Sequence, residues 1–380
     1  MKIIGIICEY NPLHNGHIKQ LNFTKKLVKK DGFVLCVMSG NFTQRAEPSV
    51  LEKSVRAKHA ILSGADAVLE LPALYATDSA ANFAYGAVSI LNAIKADGIC
   101  CGSESGQPDK LKQFSKDIRN NPLFDKAVQQ QMKEGINYPA AVSNAAKELF
   151  NCDLLDKPNN LLAVEYLNAM DKFNPNMEFF TLKREEDYRQ TDIAKSVSAS
   201  AVRKCLYENK LAHAKPALPN FVYDDLVKAD KNILDKYRCF LPMFLSSLST
   251  EYLNTIEGVT EGIENRILSC LSPNFDKFIL KLKTKRYTRL KLNRIFFNSF
   301  LGITKGYADI KQSLPPIKIL ALKKDSGVLT EVAKRTDILT RKKTPQQIIC
   351  DDITTRADRF YGILSNNIKD KNLANKILKV

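Results

Sequence analysis

Two of the chain's four histidines lie three residues apart, in Asn11-Pro12-Leu13-His14-Asn15-Gly16-His17. That segment falls between an apolar run, Ile3 to Cys8, which reads as a buried strand, and a helical pattern from His17 to Lys30. A helix starting there presents unpaired N–H groups and a partial positive charge, and together these bind phosphate. Gly16 lets the backbone approach a ligand closely. His14 and His17 add donors that can follow charge developing on a phosphoryl group. A metal pair is the competing use of two histidines, but no third His, Cys or carboxylate has an obvious claim, so no metal site is expected. A second set, Ser198-Ala199-Ser200-Ala201-Val202-Arg203, opens a short helix running to Tyr207. Ser198 suits a helix cap. Ser198, Ser200 and Arg203 also suit a second phosphate clamp. No GxxxxGK[ST] loop and no Gly-rich dinucleotide fingerprint is present.

These residues need a scaffold, and the first half of the chain supplies its pattern. Strand-like runs at Ile3 to Cys8, Phe33 to Met38, Ala65 to Leu71 and Gly98 to Cys101 alternate with helical stretches, including Val50 to Leu62 and Asp78 to Ile94. The βαβαβαβ rhythm predicts an α/β fold with a Rossmann-like, doubly wound parallel sheet. Ligands in such sheets bind at the carboxyl ends of the strands, here Glu9 to His17, Ser39 to Glu47 and Gly102 to Ser105. From Asp109 to Met170 the pattern is mostly helical, and Met177 to Leu182 reads as another strand. Two prolines in Ala214 to Asn220 mark the expected boundary between a domain at 1–214 and a mainly helical one at 215–380. In the latter, Ile317 to Leu322 reads as a strand with no assigned partner.

The chain has 380 residues, 44% apolar and 26% charged, an ordinary globular composition with length for two or three domains. No run approaches the ~18 apolar residues of a membrane span. The apolar start is too short for a secretory leader core. Nine cysteines lack CxxC or zinc spacing and read as reduced thiols in a cytoplasmic protein. Net charge is +16, and its distribution is uneven: residues 1–200 carry 24 Lys and Arg against 23 acids, whereas residues 201–380 carry 33 against 18. A neutral half joined to a basic half points to a polyanion, with nucleic acid ahead of an anionic membrane surface. Residues 281–294 hold seven positive charges and no acid. There Lys285, Arg286, Arg289, Lys291 and Arg294 are candidate phosphate contacts and Tyr287 a candidate base-stacking ring. A solvated helix face is the alternative, because Leu290, Leu292 and Ile295 look like packing residues.

Several motifs, taken in order, carry a resemblance. They are Gly5 to His17, Met38-Ser39-Gly40-Asn41-Phe42-Thr43-Gln44-Arg45-Ala46-Glu47-Pro48, Gly64 to Pro72, Cys101-Gly102-Ser103-Glu104, Pro158 to Leu167, and Lys285-Arg286-Tyr287-Thr288-Arg289. With HxGH and SxSxxR, the chain resembles the HIGH-type nucleotidyltransferase superfamily, and within it the bacterial tRNA(Met) cytidine acetate ligases. The resemblance implies ATP as co-substrate, with Mg2+, and acetate activated to acetyl-adenylate. The acetyl group then goes to the wobble cytidine of elongator tRNA(Met), as N4-acetylcytidine. It implies an ATP site at Ile7, Cys8, Glu9, Tyr10, Asn11, Pro12, Leu13, His14, Asn15, Gly16, His17, Ile18, Lys19 and Gln20, with Gly102, Asn160, Arg184 and Glu185. It makes His14, His17, Ser198, Ser200 and Arg203 the catalytic set. Ala46 stands where the family more usually has Gly, and Val202 where it has Ile.

Two other functions share these motifs. A cofactor-type small-molecule adenylyltransferase uses HxGH and SxSxxR but is often a single domain, and about 165 basic, helical residues after the boundary favour a macromolecular substrate. A non-catalytic RNA-binding protein on the same scaffold would not need His14, His17 and Arg203. No protein partner is implied. Among other polar residues, Lys53 and Arg56 lie one turn apart and suit a solvated helix face or an RNA contact. Glu9, Glu104 and Asn41 suit either ligand or structural hydrogen bonds.

Overall fold

The computed structural model describes residues 1–184, 198–367 and 377–380. Glu185 lies outside the described residues. Strand β1 (Ile3–Cys8) is followed by α1 (Asn15–Val28), β2 (Phe33–Ser39), α2 (Lys53–Leu62), β3 (Ala67–Leu71), α3 (Ala73–Ala76), α4 (Ala80–Ala93) and β4 (Gly98–Ser103). Four helices then intervene, α5 (Pro108–Asn120), α6 (Pro122–Lys133), α7 (Tyr138–Phe150) and α8 (Pro158–Phe173), before β5 (Glu178–Lys183) and α9 (Ala199–Tyr207). The expected alternation holds, with helix starts shifted by a few residues where a cap, not an apolar residue, sets the boundary. Ser79 caps α4 by accepting from Asn82 N at 3.2 Å, and Ser198 caps α9 by accepting from Ala201 N at 3.2 Å.

Strands β1 to β5 pair in parallel in the order β5-β4-β1-β2-β3. The chain runs outward from β1 through β3, then returns to place β4 on the other side of β1. The switch point therefore lies between β1 and β4, where open α/β sheets bind ligands. Because strand side chains alternate between faces, Ile3, Ile7, Leu35, Val37 and Leu69 enter one apolar core. Ile4, Ile6, Val34, Cys36, Met38 and Val68 enter the other.

The sheet does not end with the first half of the chain. Strand β6 (Ile319–Leu322) pairs antiparallel with β3, and β7 (Leu378–Lys379) pairs parallel with β6. The stretch expected at 317–322 is thus a strand of the main sheet, contributed by the half expected to be helical. Apolar burial also crosses the expected boundary. Phe42, in the loop after β2, packs against Tyr237, Phe297, Phe360 and Tyr361.

Lys53 and Arg56 are neither solvated nor free for RNA. Lys53 is buried between Glu70, at 2.5 Å, and Asp358 of the helix Pro345–Leu364. Arg56 is fully buried and donates to the carbonyls of Glu9, Ser39, Gly40 and Leu51, tying together the loops after β1 and β2. Asn41 accepts from Lys53 N at 2.7 Å and donates to Asp358, so it too is structural. Ala46 adopts φ +52°, in the left-handed region that favours glycine.

Candidate active site

The loop after β1 turns through Tyr10, whose φ is +47°, and a cis Asn11–Pro12 bond. His14 is the N-cap of α1, and its Nδ1 accepts from Gly16 N at 3.1 Å. His17 Nδ1 in turn accepts from His14 N at 3.3 Å. The two histidines form a reciprocal capping box, the role usually taken by Ser or Thr with Glu. Their rings lie 3.8 Å apart. An imidazole that accepts at Nδ1 carries its hydrogen on Nε2. Among the described residues neither Nε2 has a hydrogen-bond partner, and neither is sealed from solvent. Burial holds His14 at a pKa of about 4, helped by the positive charge of Arg184. Burial, then His14 and Arg184, puts His17 well below the ordinary value as well. Both rings are therefore neutral donors at pH 7. A Cβ on Gly16 would sit 2.8 Å from the His14 ring, so a side chain there would displace that ring.

The other predicted residues sort by position. Ile7, Cys8, Glu9, Tyr10, Asn11, His17 and Gln20 line a cavity of about 1210 Å3 together with Gly102 and Arg184. Leu13 is core, Ile18 of α1 packs against the same core, and Asn15 donates to Pro216 O at 3.1 Å. Pro12 is buried and Lys19 exposed. Glu9 accepts from Gln44 N at 2.7 Å. Gly102 leaves room for Arg184, whose Cγ would lie 3.3 Å from an added Cβ. Arg203 donates to Asn11 O at 2.7 Å and to Ser200 Oγ at 3.1 Å, so it clips α9 onto the histidine loop while lining the cavity. Ser198 serves as the helix cap, and it is Ala199 and Arg203 of this element that reach the cavity.

Asn160 is spent on structure: it accepts from Ser105 N and donates to Leu154 O, each at 3.0 Å. Its neighbour Asn159 lines the cavity, where its Oδ1 accepts from Arg184 at 3.2 Å. Glu104 holds both in place, accepting from Asn160 N at 2.9 Å and Asn159 Nδ2 at 2.7 Å. Sequence reasoning missed Asn159, and also Gln44, Arg45, Lys147 and Tyr166 on the cavity wall. Gln44 and Arg45 lie in a strand-end loop expected to face ligand; Lys147 and Tyr166 give no local signal.

The basic segment meets the same cavity. Arg286, Thr288, Leu290, Lys291 and Arg294 close its opposite side. Tyr287 corrects an expectation: its ring is buried and its hydroxyl bonds to Thr260, so it is a packing residue and not a stacking surface. Lys291 lies over that ring at 4.3 Å. Arg286 pairs with Glu261, Arg289 with Asp276 at 2.8 Å, and Arg294 donates to Gln44 O at 3.2 Å. Lys285 is exposed. Among the described residues the cavity wall carries seven Lys and Arg side chains against four carboxylates. Its volume exceeds the roughly 300–1,000 Å3 of a single small-ligand pocket.

A switch-point sheet with helix-capping histidines and a converging arginine set defines a phosphate-handling α/β fold. The family model for the HIGH nucleotidyl transferases matches residues 1–376. A tRNA(Met) cytidine acetate ligase of Clostridium perfringens is 34% identical, covering 97% of each chain. One from Listeria monocytogenes is 37% identical, covering 96% of this chain and 95% of its own. A crystal structure of Thermotoga maritima TmcAL bound with alpha-thio ATP superposes with a TM-score of 0.88 at 27% identity, covering all of both chains. The chain belongs to the HIGH nucleotidyl transferase family, and within it to the tRNA(Met) cytidine acetate ligases.

Proposed function

We propose that the chain, an ATP-dependent ligase like its relatives, activates acetate and acetylates the wobble cytidine of elongator tRNA(Met). The observation that carries this reading is one cavity lined on one side by His17, whose ring lies 3.8 Å from that of His14, and on the other by the basic helix Arg289–Leu301. Such a cavity has room for a nucleotide and a second, polyanionic reactant. An acetate oxygen attacks the α-phosphorus as its bond to pyrophosphate breaks, a reaction governed by positioning and charge stabilisation. His14 and His17, kept neutral by burial, donate from Nε2 to phosphate oxygens. Arg203 and Arg184 add fixed positive charge, and Ser200 and Ser198 hold Arg203 and its helix in place. The cytidine amine then attacks the acetyl carbonyl, the bond to AMP breaks, and the amine gives up a proton.

Mg2+ is expected to accompany ATP. Among the described residues no group of three or more His, Cys, Asp or Glu is arranged to hold an ion, so its ligands would be chiefly phosphate oxygens and water. In this reading residues 1–214 carry the adenylation chemistry, and residues 215–380 carry most of the tRNA contacts, through Lys285, Arg286, Arg289 and Lys291. Cytoplasmic location belongs to the same reading; among the described residues no helix is long and apolar enough to cross a membrane. The test is acetate-dependent ATP–pyrophosphate exchange, followed by transfer of labelled acetyl to total tRNA. Exchange driven by acetate with label entering tRNA supports the proposal. Exchange driven only by a phosphopantetheine or nicotinamide nucleotide would replace it with a cofactor-type adenylyltransferase.

A further inference from the structure

Helices α4 and α8 both begin at the carboxyl edge of the sheet and pack on one another, and α8 also packs on β4. Where they meet the cavity, the wall changes character. Phe83 of α4, Cys101 of β4, and Leu162 and Tyr166 of α8 line it there. Leu162 and Tyr166 share the helix face that also carries Asn159, because residues three and four apart lie side by side. Burial pushes the Cys101 thiol far up, so it presents a neutral, apolar surface.

Tyr166 is the exception in this wall. It is 3% exposed, yet among the described residues its hydroxyl has no hydrogen-bond partner. The polar groups that support this wall are paired: Ser103 with Thr181 at 2.7 Å, and Asn159 with Glu104 and Arg184. The hydroxyl is not among the polar atoms sealed inside the protein, so what exposure Tyr166 has opens toward the cavity it lines. A buried donor without a partner is costly unless a ligand or water completes it. Burial, with Cys101, Cys8 and Glu9 nearby, raises its pKa well above the ordinary value, so the hydroxyl stays a donor. The proximity of Cys8 and Glu9 also places it at the carboxyl end of β1, where the histidine loop begins.

We propose that this alcove is the acyl subsite: the Tyr166 hydroxyl donates to the carboxylate of the acid being activated, while Phe83 and Leu162 enclose its short alkyl chain. The assignment rests on the acetate-activating reading above and deepens it. Arg184 and Arg45 on the same cavity supply the positive field that offsets Glu9 for an incoming anion. Because the alcove is walled by bulky apolar side chains, it discriminates by size. In an apolar pocket one methylene is worth about 10- to 200-fold.

The experiment is ATP–pyrophosphate exchange with acetate, propionate and butyrate, on the parent and two variants. Tyr166→Phe keeps the ring and loses the donor. It should raise KM for acetate by about 10- to 100-fold, the range for a lost hydrogen bond to a charged group, with KM for ATP within about twofold. Phe83→Ala should raise the propionate-to-acetate ratio of kcat/KM by at least about tenfold. Thermal melts of both variants separate these effects from misfolding. An unchanged acetate KM in Tyr166→Phe, a shift in ATP KM instead, or an unchanged acid preference in Phe83→Ala would overturn the subsite. Absence of acetate-dependent exchange in the parent would be a different failure, that of the acetate-activating reading, and the subsite would fall with it.

Discussion

In the proposed reading His14 does two jobs in one ring, and a single substitution separates them. Its Nδ1 caps α1 through the 3.1 Å bond to Gly16 N, and its Nε2 has no hydrogen-bond partner among the described residues. Asn is among the best N-cap residues, and its carbonyl oxygen takes the place of Nδ1. Its shorter side chain leaves nothing where Nε2 was and removes the ring that lies 3.8 Å from that of His17. His14→Asn should therefore keep the cap, worth about 1 kcal/mol, and lose the phosphate donor, worth about 3–4 kcal/mol in the transition state. The expected result is a drop on the order of 10²- to 10³-fold in acetate-dependent exchange at saturating ATP. The melting temperature should stay within about 2 °C of the parent. His14→Ala should lose the same activity and, in addition, the capping energy. Exchange within about threefold of the parent in His14→Asn would refute the donor role and leave His14 a helix cap only.

The same ring predicts a pH dependence of stability in the absence of ligand. An unfolded histidine takes a proton near pH 6.5, but buried His14 refuses one until about pH 4. The unfolded state then binds more protons, so stability falls as pH drops through that window, by up to about 3 kcal/mol. Denaturant titrations at pH 7 and 4.5 should show a smaller loss in His14→Asn, and an identical loss would contradict the burial argument. Arg203→Lys should fail to restore activity, because one ammonium cannot span Asn11 O and Ser200 Oγ as the planar fork does; parental ATP affinity and turnover would demote Arg203 to a structural charge. Neutralising Lys285, Arg286 and Arg289 should flatten the salt dependence of tRNA binding by roughly 0.7–0.9 in log-log slope for each phosphate no longer neutralised, while exchange without tRNA persists. Normal tRNA modification by that triple variant at about 150 mM salt would remove the segment from the RNA path.

Local pattern carries inference as far as local physics reaches. Strand and helix periods depend on neighbours a few residues away, and they locate β1 to β5 and the histidines at the start of α1. A capping serine and a nearby arginine are likewise legible at α9. The excess charge of the second half points to a polyanion without saying which cations face it.

What the order of residues could not convey was set by partners far apart in the chain. Lys53 looked like a surface charge because Asp358, which helps neutralise it in the interior, lies 305 positions away. A buried charge is tolerated only when paired, and pairing at that distance leaves no periodic trace. β6 looked partnerless because its neighbour is β3. Tyr287 looked available for stacking until Thr260 and the packing around it took its hydroxyl and ring. Asn159 and Asn160 are the same residue type in adjacent positions. Only the way Glu104 and the start of α8 orient them sends one to the cavity and the other to the backbone. Composition and spacing determined the chemistry the chain can attempt, because phosphate binding at a helix start is a local property. Burial and long-range pairing decided which side chains remain free to perform it, because desolvation is a property of the whole folded chain.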